Sequence, residues 1–275
     1  MKNAKKRRRR LKPATASYRY IYGPVASWRL GSSLGVDPIS AKNKICSFDC
    51  IYCQLGPTRA FLDRRSVFVP AKAIVDEIKG LPQTSIDYIT FSGAGEPTLA
   101  KNLGTMIRAV KKVRKEKIAV ITNTSLIDRE DVRKDLGEAD LVLAKLDADR
   151  EPLFQKVNRP MAGIHYRKML QGLKKFTANF RGRLALQIMF TAANARAAAR
   201  VARLAGAISP DEIQLNTPLR PCGVKPLSKK AMQNIGGIFR RVCGGASHIV
   251  NVYQIEKRKV SPISNPDTLR RRGKT

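Results

Sequence analysis

The sequence predicts an α/β fold, a mostly parallel sheet curled into a partial, open barrel. Three observations predict it. Apolar residues alternate between strand spacing and helical spacing along most of the chain. Strand and helix follow one another singly, which favours parallel strands joined by right-handed crossovers. The count reaches about six strand–helix units, short of the eight that close a full barrel. With 275 residues, 43% of them apolar, the chain can bury a sizeable core without covalent staples.

Each element has a local reason. Residues 18–37 mix aromatics with Gly and Pro, the composition of a short strand and tight turns leading into a cysteine-rich loop. "FVPAKAIVDEIKG" reads as a helix with Pro70 at its start, an apolar stripe of Ile74, Val75 and Ile78, and Gly80 at its end. "IDYITFSG" is a strand running into a glycine turn. In "NLGTMIRAVKKVRK", Leu103, Met106, Ile107, Val110 and Val113 share one helical face, with Lys and Arg on the other. "KIAVITNTS" is the next strand, "DREDVRKDLG" a short helix closed by Gly137, and "ADLVLAKLDA" another strand. A helix over 163–176, the strand "LALQIMFT", an Ala-rich helix over 194–205 and the strand "DEIQLNTP" complete the barrel. The expected organisation is a basic disordered arm over 1–17, a barrel over 18–217 and a packed extension over 218–256 that ends in the strand "HIVNVYQ". A polar, basic tail over 257–275 is expected to close the chain.

Charge is the loudest compositional signal, with 53 Lys and Arg against 21 Asp and Glu, or +32. The first twelve residues hold eight basic side chains, and 257–275 hold seven against Asp267 alone. Taking these +8 and +6 away leaves +18 for residues 13–256, so the folded body is basic too. A solubilising surface accounts for this; so does a polyanion partner such as RNA. No apolar run is long enough to span a bilayer, and no apolar segment follows the charged start. A cytoplasmic location without membrane contact is therefore expected. Five cysteines in a chain of this size are no disulfide framework and fit a reducing compartment.

Three of those cysteines crowd into "CSFDCIYC", as Cys46, Cys50 and Cys53. Disulfides take cysteines in pairs, so three close thiols point first to a metal. Zinc would need a fourth ligand, and no Cys or His occurs between residues 54 and 164. An iron–sulfur cluster with three thiolate ligands leaves one iron open, which suits a reactive centre. A second motif, "FSGAGEPTL", follows on the next strand, where Gly93 and Gly95 permit close backbone approach and Glu96 or neighbouring carbonyls can accept from an ammonium. By itself this stretch reads as an ordinary strand-to-helix turn.

Together the two motifs resemble the radical SAM superfamily, including Tyr52 immediately before the last cysteine. "YIYGPVASWRLGSSLGVDPI", "KLDA", "NRP" and "QLNTPLRP" further resemble a group of iron–sulfur oxidoreductases related to the wyosine synthases, over about residues 18–230. The resemblance implies a partial (β/α)6 TIM-like barrel of the radical SAM type with a short C-terminal extension. It implies a [4Fe–4S] cluster on the catalytic cysteines Cys46, Cys50 and Cys53, and S-adenosylmethionine as the second cofactor. Contacts to the latter are implied for Tyr52, Gly93, Gly95, Glu96, Asn123, Ser125, Lys145, Asp147 and Asn216. For the polar residues among these, capping a strand end is the alternative role. Lys145 departs from the small hydroxyl common in such barrels; at strand spacing it shares a side with Asp147 and can pair with a carboxylate.

The implied reaction is reductive cleavage of S-adenosylmethionine to a 5′-deoxyadenosyl radical that abstracts hydrogen from a substrate, RNA among the candidates. A flavodoxin or ferredoxin-type reductase would supply the electron. Activation of a glycyl-radical enzyme or modification of a peptide is the rival within the same chemistry. A basic RNA-binding protein with a structural metal is the rival outside it. Cys222 and Cys243 are too few for a second three-thiolate cluster, which argues against wyosine synthesis itself. Trp28 is expected either to cover the cluster or to pack, and His165 and His248 to be structural.

Overall fold

The computed structural model describes residues 17–245, 247–256 and 259–272, so the expected basic arm lies almost wholly outside the described residues. The chain opens with a hairpin, β1 (Ile21–Ser27) and β2 (Gly31–Val36), followed by the two-residue strands β3 (Ile45–Cys46) and β4 (Ala60–Phe61). Then come α1 (Ala71–Lys79), β5 (Tyr88–Phe91), a 3-10 turn (Pro97–Leu99), α2 (Leu103–Lys111), β6 (Lys117–Thr122) and α3 (Glu130–Leu136). After them lie β7 (Leu141–Lys145), α4 (Glu151–Asn158), α5 (Tyr166–Asn179), β8 (Arg183–Met189) and α6 (Ala198–Ile208). The chain finishes with β9 (Glu212–Asn216), α7 (Lys229–Cys243), β10 (His248–Asn251) and α8 (Asn265–Arg272).

One eight-stranded sheet runs β1-β2-β5-β6-β7-β8-β9-β10. β2 and β5 to β9 are the six parallel barrel strands that the sequence predicts; β10 joins β9 in parallel, and β1 caps the other edge antiparallel to β2. β1 and β10 are not paired with each other, so the barrel stays open.

The pleat sorts side chains to two faces. Val120, Val142, Leu186, Ile188, Ile213 and Leu215 join the large core beneath the helices. Burying each such side chain contributes roughly 1.5–3 kcal/mol. Their alternates face the concave side, where Leu30 from the β1–β2 turn packs against Ala119, Leu141, Leu143 and Ala185 and plugs the floor. β2 runs parallel to β5, so this turn lies at the N-terminal end of the barrel, opposite the cysteines. Trp28 therefore packs at the floor, buried at 8% exposure, and does not cover the cysteine loop.

The C-terminus departs from expectation. In place of a solvated tail, α8 packs on β1 and buries Asp267, Thr268 and Arg271. Tyr18 N donates to Asp267 Oδ2 at 2.8 Å and Gly23 N to Thr268 Oγ1 at 3.0 Å. A polar, basic octet with weak apolar periodicity reads as tail in isolation; here the backbone N–H groups of the edge strand give its side chains partners. α4 is not legible in the sequence either, its short apolar set being Phe154 and Val157.

Candidate active site

The three cysteines and the glycine turn are hydrogen-bonded neighbours at the C-terminal rim. Ile45 bridges Gly95 in parallel: Ile45 N donates to Ala94 O at 3.1 Å, and Glu96 N donates to Ile45 O at 3.2 Å. β3 thus carries Cys46 directly alongside residues 94–96. The loop from Cys46 to Cys53 closes with Cys53 N donating to Cys50 O at 3.0 Å, and is fastened from outside by Ile51 N to Val157 O at 3.0 Å.

Amide donors reach two of the sulfurs. Asn123 Nδ2 lies 3.5 Å from Cys46 Sγ, and Asn158 Nδ2 lies 3.6 Å from Cys50 Sγ. Burial, reinforced by the nearby Glu96 charge, pushes the Cys46 thiol up to about 12. Burial pushes Cys50 up to about 11, with Lys145 opposing. Both thiols are neutral by themselves, so a bound cation must displace their protons to create thiolates. Free thiols, amide donors and a nearby ammonium form a donor set that fits iron–sulfur ligation.

Asp147 is the hub beneath the loop. Its Oδ1 accepts from Met189 N at 2.7 Å, and its Oδ2 accepts from Asn158 Nδ2 at 2.8 Å and from the Tyr52 hydroxyl. Lys145 Nζ stands 3.7 Å from the same oxygen, 4.8 Å from the centre of the Tyr52 ring and 3.3 Å from Gln187 Oε1. Burial first, and then the Asp147 charge, hold the Tyr52 phenol well above its ordinary range. Within the chain, Lys145 is paired with Asp147.

Glu96 is equally occupied. Oε1 accepts from Thr98 N (3.0 Å), Thr98 Oγ1 (2.7 Å) and Thr122 Oγ1 (2.7 Å), and Oε2 accepts from Asn123 N at 2.6 Å. At 1% exposure it fastens the glycine turn to the end of β6. Asn123 continues this net through Nδ2 to Ser47 Oγ (2.9 Å) and Oδ1 from Ser125 N (2.9 Å), while Ser125 Oγ and Ser47 Oγ share a bond of 2.6 Å. Asn216 stands apart: its Oδ1 accepts from Thr217 N at 2.9 Å within its own turn.

The glycines answer to packing inside the chain. Gly93 sits at φ +142, and a Cβ there would lie 2.4 Å from Asp37 Cγ; a Cβ on Gly95 would lie 1.7 Å from Ile45 O. Asp37 accepts from Ile39 N (3.1 Å), Ser40 N (2.9 Å) and Ala94 N (3.2 Å), and Arg271 Nε of α8 approaches to 3.4 Å. Asp37, Ser47, Asn158 and Arg271 are thus site supports that sequence reasoning does not single out. Asp37, Ser47 and Asn158 lie inside the motif stretches, in "GVDPI", "CSFDCIYC" and "NRP"; Arg271 carries no such signal. Cys222 and Cys243 each donate to a carbonyl, of Val224 and Ala202; Cys222 precedes Gly223, which packs on Ile51 of the cysteine loop. Residues 42–193 match the model of the radical SAM superfamily, more than half of the chain.

The chain belongs to the radical SAM superfamily. It is 41% identical over 216 residues to UPF0026 protein slr1464 of Synechocystis sp., covering 76% of this chain and 78% of that one. Its fold is similar to Streptococcus suis SuiB bound to S-adenosylmethionine, at a TM-score of 0.61, with 12% identity over 81% of this chain and 50% of that one. It is also similar to archaeal TYW1, at a TM-score of 0.56, with 13% identity over 76% of this chain and 71% of that one. The radical SAM enzyme thus spans about half the length of SuiB. No helix among its described residues is long and apolar enough to cross a membrane.

Proposed function

We propose that this radical SAM enzyme holds a [4Fe–4S] cluster on Cys46, Cys50 and Cys53 and uses it to cleave S-adenosylmethionine reductively. The observation that carries the reading is the direct pairing of the cysteine strand with the glycine turn, Ile45 against Gly95. When bound, the two cofactors would supply an electron to the sulfonium, yielding methionine and a 5′-deoxyadenosyl radical that takes hydrogen from a substrate.

The protein's part is placement and shielding. Asn123 and Asn158 offer N–H donors to sulfur, which stabilises the thiolate form. Asp147 fixes Tyr52, and with it the loop between Cys50 and Cys53. The carbonyls of the glycine turn are the acceptors for the ligand's ammonium. Among the described residues, no three His, Cys, Asp or Glu side chains converge as a single ion requires, whereas a cubane takes each thiolate on a separate iron.

The net charge of +32 supports two further parts of the reading, contact with RNA and encounter with an acidic flavodoxin or ferredoxin in the cytoplasm. Anaerobic reconstitution, reduction by dithionite and chromatography for 5′-deoxyadenosine test the central claim. Cluster-dependent formation of 5′-deoxyadenosine is expected. A fully loaded, reduced protein that leaves S-adenosylmethionine intact would overturn it and favour a structural metal.

A further inference from the structure

The concave face of the barrel carries polar side chains as well as its apolar floor. On β7, β8 and β9 the inward polar positions are Lys145, Gln187, Glu212, Gln214 and Asn216, since Ala144, Leu186, Ile213 and Leu215 face the helices. Gln214 is 1% exposed; its Nε2 donates to Glu212 Oε1 at 2.7 Å, and its Oε1 is buried with no partner among the described residues.

Arg29 adds a second orphan. It projects from the floor turn beside Leu30, with its guanidinium 5.0 Å from the centre of the Trp28 ring. Its Nε is sealed from solvent and unpaired among the described residues, where the guanidinium makes no hydrogen bond or ion pair. Burial lowers its pKa to about 10, and the charge of Arg220 adds to that, opposed by Glu212. Glu212 itself pairs with Arg183 at 3.2 Å. Arg220 reaches this space from the loop after β9 and donates to Gln54 Oε1 at 3.0 Å, one residue beyond Cys53. Arg29 thus offers a guanidinium from the floor side, without an ion pair among the described residues, and Arg220 one from the rim side beside the cysteine loop. Arg29 as a whole is half-buried, but its sealed Nε and the buried Gln214 Oε1 each lack a partner among the described residues, and an unpaired buried polar atom costs stability unless a ligand satisfies it.

We propose that the concave face binds an oxyanion of the substrate, a carboxylate or a phosphate, with Arg29 as its principal donor. Arg220 shares the anion from the rim side, and Gln214 Oε1 accepts from a neighbouring hydroxyl or amino group of the same molecule. The inference rests on the radical-chemistry reading and narrows its substrate to a small anionic molecule, anchored at the floor with its reacting carbon toward the cysteines.

Trp28 is the single tryptophan of the chain, so its emission reports on Arg29 specifically, whatever else the basic surface attracts. The cluster-loaded full chain is titrated with inorganic phosphate and, separately, with malonate at constant ionic strength. A saturable change in Trp28 emission is expected, and the tighter of the two anions identifies the phosphate or carboxylate class. Arg29→Gln should weaken that binding at least about tenfold, the loss of one charge-assisted contact. Arg220→Gln should weaken it less, and Arg29→Lys should restore part of it. Lys168→Gln, on the exposed face of α5, should bind as the parent does. Cluster absorbance and the melting temperature identify folded variants; should Arg29→Gln fail to load, Arg29→Lys and Arg220→Gln carry the comparison. A parent without a saturable response, or folded Arg29 and Arg220 variants that bind as tightly as the parent, overturns the proposal. Formation of 5′-deoxyadenosine by the parent is measured on the same samples. Its absence would overturn the radical reading and leave the anion result standing separately.

Discussion

The cysteine loop and the glycine turn lie side by side on one rim, yet they are held by different physics. The loop is positioned by polar side chains from distant elements: Asp147 after β7, Asn158 at the end of α4 and Asn123 after β6. The turn is positioned by what it lacks, since Cβ atoms at Gly93 and Gly95 would strike Asp37 and the Ile45 carbonyl. Hydrogen bonds give graded control, because each can lengthen or be replaced by water. Steric exclusion within a close-packed interior is closer to all or none. The chemistry of the site is on the loop, but the tighter geometric demand is on the turn.

The largest expected effect breaks the loop's chemistry and nothing else. Cys46→Ala, Cys50→Ala and Cys53→Ala should each abolish the cluster's absorbance and EPR signal, while Cys222→Ala and Cys243→Ala load normally. A normal cubane in Cys50→Ala would refute the ligand assignment.

Next comes Gly95→Ala. Its Cβ would stand 1.7 Å from Ile45 O, so β3 must move and take Cys46 with it. We expect a loss of about 3 kcal/mol or more in urea unfolding, together with impaired cluster loading. Parent-like stability and loading would mean that the turn is looser than its geometry implies.

Asp147→Asn tests the graded side. It removes the charge opposite Lys145 and places an amide where the Tyr52 hydroxyl, Asn158 Nδ2 or Met189 N needs an acceptor. A loss of roughly 2–4 kcal/mol is expected, because a partly buried ammonium is left unpaired. Denaturant melts should report it, with the cluster still loading but more easily lost on dilution.

The smallest effect sharpens the contrast. Glu96→Gln keeps the shape of the side chain but turns an NH2 toward the backbone N–H of either Thr98 or Asn123. That mismatch should cost about 1–3 kcal/mol. Calorimetry of cluster-loaded protein should show little change in S-adenosylmethionine affinity, since Glu96 has its acceptor positions filled from within. A large, selective loss of affinity would put Glu96 on the ligand.

The barrel and the cysteine site are legible in the amino-acid sequence. The six parallel strands follow from alternating periodicity, and the candidate site from three thiols in eight residues. Both are local patterns, written in short windows of sequence. The roles of the surrounding polar residues are less legible. Glu96, Asp147 and Lys145 are marked as site residues by the family resemblance, but the sequence does not say that they are held by bonds within the chain. Pairing across 26 residues (Thr122 to Glu96) or 95 (Tyr52 to Asp147) leaves no periodic trace.

By itself the sequence determined the strand order along the chain, the crowding of three cysteines, the glycine turn and the charge. Tertiary structure decided which polar groups remain free for a ligand. It packed α8 on β1 and set Arg271 against Asp37, beside the glycine turn, where the sequence shows only a basic tail. It sealed the Nε of a half-buried Arg29 without a partner among the described residues, where the sequence shows one cation among many. The physical reason is common to both: hydrophobic periodicity records which face a residue takes, whereas the partner of a buried charge depends on the three-dimensional path of the whole chain.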